Sequence, residues 1–177
     1  MIADYVTRLA VIGASSVRRP RAHVLSEVRM PLRIWPTDID LYGHMNNGRY
    51  LTLMDFGRYE HSMRTGLIRQ LLRRRWLPVI AASNVEFLRE LRVFQKVELT
   101  TQVVAWDAKW FFVEHRLERE GRVHARAAVK AVVKGKGRTV TPAEMLGAMG
   151  VTDLTPPRDP AALAREFGLD LSRDAGR

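Results

Sequence analysis

Three consecutive stretches of this chain alternate apolar and polar residues with a period of two. In residues 97–106, Val97, Leu99, Thr101, Val103 and Ala105 share one side and Glu98, Thr100, Gln102 and Val104 the other. In residues 110–119, Phe111, Val113, His115 and Leu117 fall together. In residues 123–134, Val123, Ala125, Ala127, Val129, Ala131 and Val133 oppose His124, Arg126, Ala128, Lys130, Val132 and Lys134. A period of two is that of a strand with one buried face. The intervening turns, Asp107-Ala108 and Glu120-Gly121, are short enough only for antiparallel neighbours. The chain must therefore build an antiparallel meander, and that meander needs an apolar partner for its inward face.

The segment before the meander supplies the partner. Residues 47–76 read as helical, with Tyr50, Leu51, Leu53, Met54 and Phe56 spread nearly all round the first turns. Such a helix is enclosed rather than laid on a surface. Asn46 or Asn47 suits its N-cap, since the side chain can accept from an orphan N–H. Gly66 ends or kinks it, and residues 67–76 then read as a second, basic, amphipathic helix stopped by Pro78. Residues 79–91 form a further strand. Upstream, Met30, Leu32 and Ile34 alternate in a strand over residues 28–35, with Pro31 placing it at an edge or near its start. The small inward Ala125, Ala127 and Ala131 leave room for a helix to approach the sheet. A run of antiparallel strands with one segregated helix is an α+β fold, here a curved sheet around a long helix.

Three regions follow from this reading. Residues 1–25 form an N-terminal appendage, 26–150 the folded domain, and 151–177 a C-terminal tail. The appendage reads as a short helix around residues 5–12, broken by Gly13-Ala14-Ser15-Ser16 and the basic stretch Arg18-Arg19-Pro20-Arg21. It suits a surface helix, or one lying peripherally on an anionic membrane. Thr141-Pro142-Ala143-Glu144 has the pattern of a capped helix start. The tail, with three prolines from residue 155 onward, is expected to pack loosely.

Composition narrows the function. The chain has 177 residues and no cysteine, which excludes disulfides, thiolate catalysis and Cys-ligated metal. No stretch reaches the ~18 apolar residues of a membrane span, and the first residues lack the apolar run of a signal peptide. A soluble, cytoplasmic protein is the expectation. The net charge of +10, from 29 Lys plus Arg against 19 Asp plus Glu, suits an anionic partner. No nucleic-acid-binding signature accompanies the clusters at Arg73-Arg74-Arg75 and 134–138, so nucleic acid is not expected as a partner.

The chemistry concentrates between the first strand and the enclosed helix, in Asp38, Asp40, His44, Asn46, Asn47, Gly48 and Tyr50. A loop feeding a helix N-terminus lies beside free backbone N–H groups and the positive end of the helix dipole. A carboxylate there can serve as base or nucleophile toward a carbonyl that those N–H groups polarise. The same aspartates can equally be turn formers and the asparagines plain caps.

The wording Asp38-x-Asp40-x-x-Gly43-His44-Met45-Asn46-Asn47-x-x-Tyr50-Leu51, followed by Asp55 and Arg58, resembles the signature of hotdog-fold acyl-CoA thioesterases of the 4-hydroxybenzoyl-CoA thioesterase type. Within them it is similar to the THEM6-like branch, over about residues 29–140, including the block 83–91. The resemblance implies a hotdog fold and a homodimer or homotetramer with sites at subunit interfaces. It implies hydrolysis of an acyl-CoA to free acid and CoA, without metal or cofactor. The catalytic carboxylate would be Asp40, as nucleophile or general base, and the oxyanion donor the backbone N–H near Asn47. His44, Asn46, Gly48 and Tyr50 would shape the loop or touch substrate, and Asp38 would support the turn. Asp55 and Glu60, on the helix, are weaker candidates for the carboxylate. Arg89, Arg92 or residues 134–138 could meet the CoA phosphates. The alternative is a non-enzymatic hotdog module that binds an acyl-CoA or a protein partner.

Overall fold

The computed structural model describes residues 2–170; Met1 and the last seven residues of the expected tail, 171–177, lie outside the described residues. The elements run α1 (Ile2–Arg18), β1 (Val28–Arg33), a 3-10 turn (Pro36–Asp38), α2 (Asn47–Arg64) and α3 (Leu67–Arg74). They continue β2 (Trp76–Phe87), β3 (Lys96–Trp106), β4 (Phe111–Arg119), β5 (Arg122–Gly135), β6 (Arg138–Val140), α4 (Pro142–Ala148) and α5 (Pro160–Glu166). The strands form one antiparallel sheet in the order β1-β3-β4-β5-β2, with β6 paired to β5.

The three alternating stretches are β3, β4 and β5, in the register their patterns require: Thr101 faces His115 and Val113 faces Val129. The inward face of Leu99, Leu117, Ala125 and Ala127 packs on Leu53, Met54 and Phe56 of α2. The close approach depends on Gly57. A Cβ there would lie 2.4 Å from Thr101 Oγ1 and 2.8 Å from Leu99 Cδ2. The alternation fails at two inward positions: a register shift pairs Val123 with Glu118 of the outward set, and the other is Ala105. A bulge between Val103 and Ala105 sends Ala105 to the outer face with Val104 and turns Trp106 inward.

Four further expectations are corrected. Helix α1 does not break at Gly13 but runs on to Arg18. The Ser15 hydroxyl bonds back to the Ile12 carbonyl at 2.9 Å, and the Ser16 hydroxyl is shared between that carbonyl, at 2.7 Å, and Glu60 of α2, so both serines are satisfied within the helix or against its neighbour. The segment is also no detached appendage. Ile12 is buried in the main core, and the Tyr5 and Phe56 rings stand 5.0 Å apart. Pro78 does not stop α3, which ends at Arg74; Arg75 adopts a left-handed φ of 55° and the chain turns straight into β2. Pro78 sits inside that strand, which ends at Phe87 rather than residue 91. The proline is tolerated because β2, like the Pro31 strand β1, is an edge.

The tail is the fourth correction. Its α5 lies on the outer face of the sheet, where Leu163 and Phe167 are buried against Phe112, Ala128 and Val132. Asp159 caps the helix by accepting from the Ala161 and Ala162 amides. Arg158 reaches Glu114 at 2.8 Å, and Arg126 reaches Glu166 at 2.9 Å. Lys130 is fully buried, its Nζ donating to the Asp170 carbonyl at 2.6 Å and lying 4.1 Å from the Trp110 ring centroid. Each large apolar side chain covered here contributes about 1.5–3 kcal/mol.

Candidate active site

The turn between β1 and α2 is anchored by a buried charge. Asp38 is fully buried; its Oδ2 accepts from the Trp35 amide and from Arg8 Nη2, both at 2.9 Å. Its Oδ1 accepts from Arg49 Nε at 2.9 Å. Asp4 completes a box, meeting Arg8 at 3.1 Å and Arg49 at 2.7 Å. Burial opposes the Arg49 charge, yet the hydrogen bonds and charges of Asp38 and Asp4 outweigh it and hold the guanidinium pKa above its ordinary value. Asp38 is thus more than the supporting turn residue expected. It ties α1, the turn and the first helical turn of α2 into one unit.

Asp40 stands on the loop that this unit carries, and it is only half-buried. Its Oδ1 accepts from the amides of Tyr42 at 2.9 Å and His44 at 3.4 Å, an Asx turn. Gly43, at φ 81°, lets the loop reverse so that the Asp40 amide meets the His44 carbonyl at 2.9 Å. The Met45 amide then donates to the Leu91 carbonyl at 2.8 Å and the Asn46 amide to the Asp38 carbonyl at 2.8 Å. His44 Nε2 lies 2.8 Å from Glu90, fastening the loop to the segment after β2. Oδ2 of Asp40 has no hydrogen-bond partner among the described residues.

At the start of α2, Asn46 caps the helix by accepting from the Gly48 amide at 2.9 Å. The Arg49 amide bonds back to the Asn46 carbonyl. The Asn47 amide is left without a partner among the described residues, at the positive end of an 18-residue helix. The loop and helix start therefore bring together Asp40, His44, Asn46, Asn47 and Gly48. Tyr50 is not among them. It points into the core, 3% exposed, with its ring 5.0 Å from that of Phe87. Burial holds its pKa above the ordinary tyrosine value.

Of the weaker carboxylate candidates, Glu60 is fully buried and bound by the Ser16 hydroxyl and by Arg19 at 2.8 Å, clasping α1 to α2. Asp55 is paired with Arg58. Arg58 in turn reaches His115 Nε2 at 2.9 Å. A guanidinium can only donate, so His115 accepts at Nε2 and carries its proton on Nδ1, which faces Thr101 Oγ1 at 3.0 Å. Burial and the Arg58 charge push the His115 pKa well below its ordinary value. This polar chain was not anticipated as a unit; the only sequence signal was a histidine on an inward strand face. The cations proposed for phosphates diverge: Arg89 donates to the Val123 carbonyl, and Arg92 pairs with Glu90.

A curved antiparallel sheet wrapped around a central helix is the hotdog fold. The chain belongs to the thioesterase-like superfamily, whose family model matches residues 34–159. It is 36% identical over 97 residues to Protein THEM6 of Danio rerio, covering 55% of this chain and 48% of that one. A probable thioesterase of Saccharomyces cerevisiae is 29% identical over 120 residues, covering 66% and 52%. The chain spans about half the length of the curated relatives it matches. Among solved structures, the YbaW probable thioesterase from Escherichia coli superposes with a TM-score of 0.63 at 19% identity, over 68% of this chain and 97% of that one. That likeness supports the fold.

Proposed function

We propose that the chain hydrolyses an acyl-CoA to the free acid and CoA, with Asp40 as general base or nucleophile and the Asn47 amide as oxyanion donor. The observation that carries the reading is that, among the described residues, one carboxylate oxygen of Asp40 on the loop and the Asn47 amide at the start of α2 lack partners, in a segment held by Asp38 and Arg49. As a base, Asp40 takes a proton from water while hydroxide adds to the thioester carbonyl. The developing oxyanion meets the Asn47 amide, where a preorganised donor is worth far more than in water. The C–S bond then breaks, and the departing thiolate takes the proton from Asp40. As a nucleophile, Asp40 would add to the thioester carbonyl, and breaking the C–S bond would release the CoA thiolate and leave a mixed anhydride that water opens to the free acid and the Asp40 carboxylate. His44 and Asn46 keep loop and helix start in register, and no metal or cofactor enters either route.

The working unit in this reading is a dimer through β2. That strand is an edge of twelve residues whose outer rim exposes Leu77, Ile80 and Phe87, with Leu88 following. An open apolar edge of this length is a template for another strand. A second copy supplies an identical one, paired antiparallel about a two-fold axis.

One observation favours the non-enzymatic alternative: Oδ1 of Asp40 is committed to two loop amides, as in a turn-forming aspartate. The experiment that separates the two is a panel of acyl-CoAs of graded chain length, followed by release of free thiol. Turnover on any member supports hydrolysis. Tight binding of acyl-CoA with no thiol released across the panel assigns the chain to the binding module.

A further inference from the structure

The cations that the Asp40 loop leaves unused gather at the far end of the sheet. There the end of α3 and the β5–β6 hairpin enclose an open cleft of about 440 Å³, floored by Trp76. Arg73, Arg74, Arg75, Lys136 and Arg138 line it, with Glu144 the single acid. Glu144 is consumed by Arg138, which holds it through two hydrogen bonds of 2.7 and 2.8 Å. The other four cations have no carboxylate within ion-pair distance among the described residues, although many arginines elsewhere are paired, such as Arg19 with Glu60 and Arg126 with Glu86. Arg74 is fixed over the Trp76 ring, 5.0 Å from its centroid, and donates to Gln70 at 3.3 Å.

Two of the four sit where the backbone asks for a different residue. Arg75 follows α3 at φ 55°, and Lys136 opens the two-residue β5–β6 turn at φ 50° with Gly137 at 77°. Glycine or asparagine suits both places. Here both carry cations into the same cleft.

We propose that this cleft binds the phosphate groups of the CoA half of the substrate, an inference that rests on the acyl-CoA hydrolase reading. Four uncompensated cations match a polyanion, and guanidinium forks grip phosphate oxygens two at a time. The cleft volume lies in the range of sites for nucleotide-sized ligands, well above a single phosphate. The connection to Asp40 runs through β2. Its first residue, Trp76, floors the cleft, and its last, Phe87, leads to Leu91, which holds the Asp40 loop. Antiparallel pairing of two β2 edges sets Trp76 of one copy toward Phe87 of the other. Each cleft then serves the loop of the opposite copy, and one substrate molecule spans both.

The test compares an acyl-CoA, the matching acyl-3′-dephospho-CoA and the matching acyl-pantetheine, using wild type and the double variant Arg75→Gly, Lys136→Gly. Glycine fits both left-handed positions, so the variant removes charge without burdening the fold. The kcat/KM ratio of acyl-CoA over acyl-pantetheine falls about tenfold in the variant, since each lost charge-assisted phosphate contact is worth at least that, and the dephospho ester falls in between. An unchanged ratio overturns the proposal. Should wild type cleave none of the three, the hydrolase reading fails by itself, and binding of free CoA still decides the cleft. Weaker CoA binding by the variant, with dephospho-CoA less affected, supports it. Equal binding by both proteins, or a preference for vesicles of anionic phospholipid over CoA, overturns it.

Discussion

Asp38 and Arg49 meet at 2.9 Å across the start of α2, a fully buried carboxylate against a guanidinium with one-seventh of its side chain exposed. Through Arg8 and Asp4 the same pair extends to α1, which makes an N-terminal helix part of the frame of the site. Removing one partner of a buried pair costs about 3–5 kcal/mol because the other charge is left uncompensated. Asp38→Ala therefore lowers the free energy of urea unfolding by about that amount, and Arg8→Ala by about 1–3 kcal/mol. Equal stability of Arg8→Ala and wild type would mean that α1 does not brace the loop.

Gly57 sets the distance between helix and sheet. A methyl group there collides with Thr101 and Leu99, at 2.4 and 2.8 Å. Overpacking costs about 1–3 kcal/mol, against a helix-propensity gain of about 1 kcal/mol. Gly57→Ala is expected to lower the melting temperature, and a rise would show that the helix moves away freely.

Phe167 closes the outer face of the sheet, 1% exposed. Phe167→Ala should cost about 3–5 kcal/mol in denaturant unfolding. A change under 1 kcal/mol would mean that the tail contributes little to the fold.

Acid should destabilise the protein through two of its buried histidines, His61 and His115. Burial, with the Arg64 charge, lowers the His61 pKa to about 4, and burial with the Arg58 charge holds that of His115 well below its ordinary value. The unfolded chain, titrating near 6.5, binds more protons than the folded one below that pH. Stability is therefore lost as pH falls from about 6.5 toward 4, by up to about 1.4 kcal/mol per unit for each histidine. His61→Gln should flatten this slope in urea titrations across the window; an unaltered slope would remove His61 as its source.

The strands were legible because a period of two leaves few alternatives, and the enclosed helix because Leu53, Met54 and Phe56 leave no polar face toward the sheet. What escaped were features decided by partners distant in sequence. Gly13 and Ser15 read as breakers, but α2 packs against that helix and the serines bond within it. Phe167 and Leu163 read as tail because their apolar complement, Phe112 and Val132, is displayed only once the sheet forms. At the site, the motif singled out the loop and helix start, while the Asp4–Arg8–Asp38–Arg49 box depends on contacts between residues up to 45 positions apart.

The most direct measurement is kcat for thioester hydrolysis by Asp40→Ala against wild type, on the best acyl-CoA of the panel, with matched melting temperatures. A general base contributes about 10²–10⁴-fold, so kcat should fall by at least ~100-fold while KM moves little. A variant that turns over acyl-CoA at the wild-type rate would contradict the assignment of Asp40.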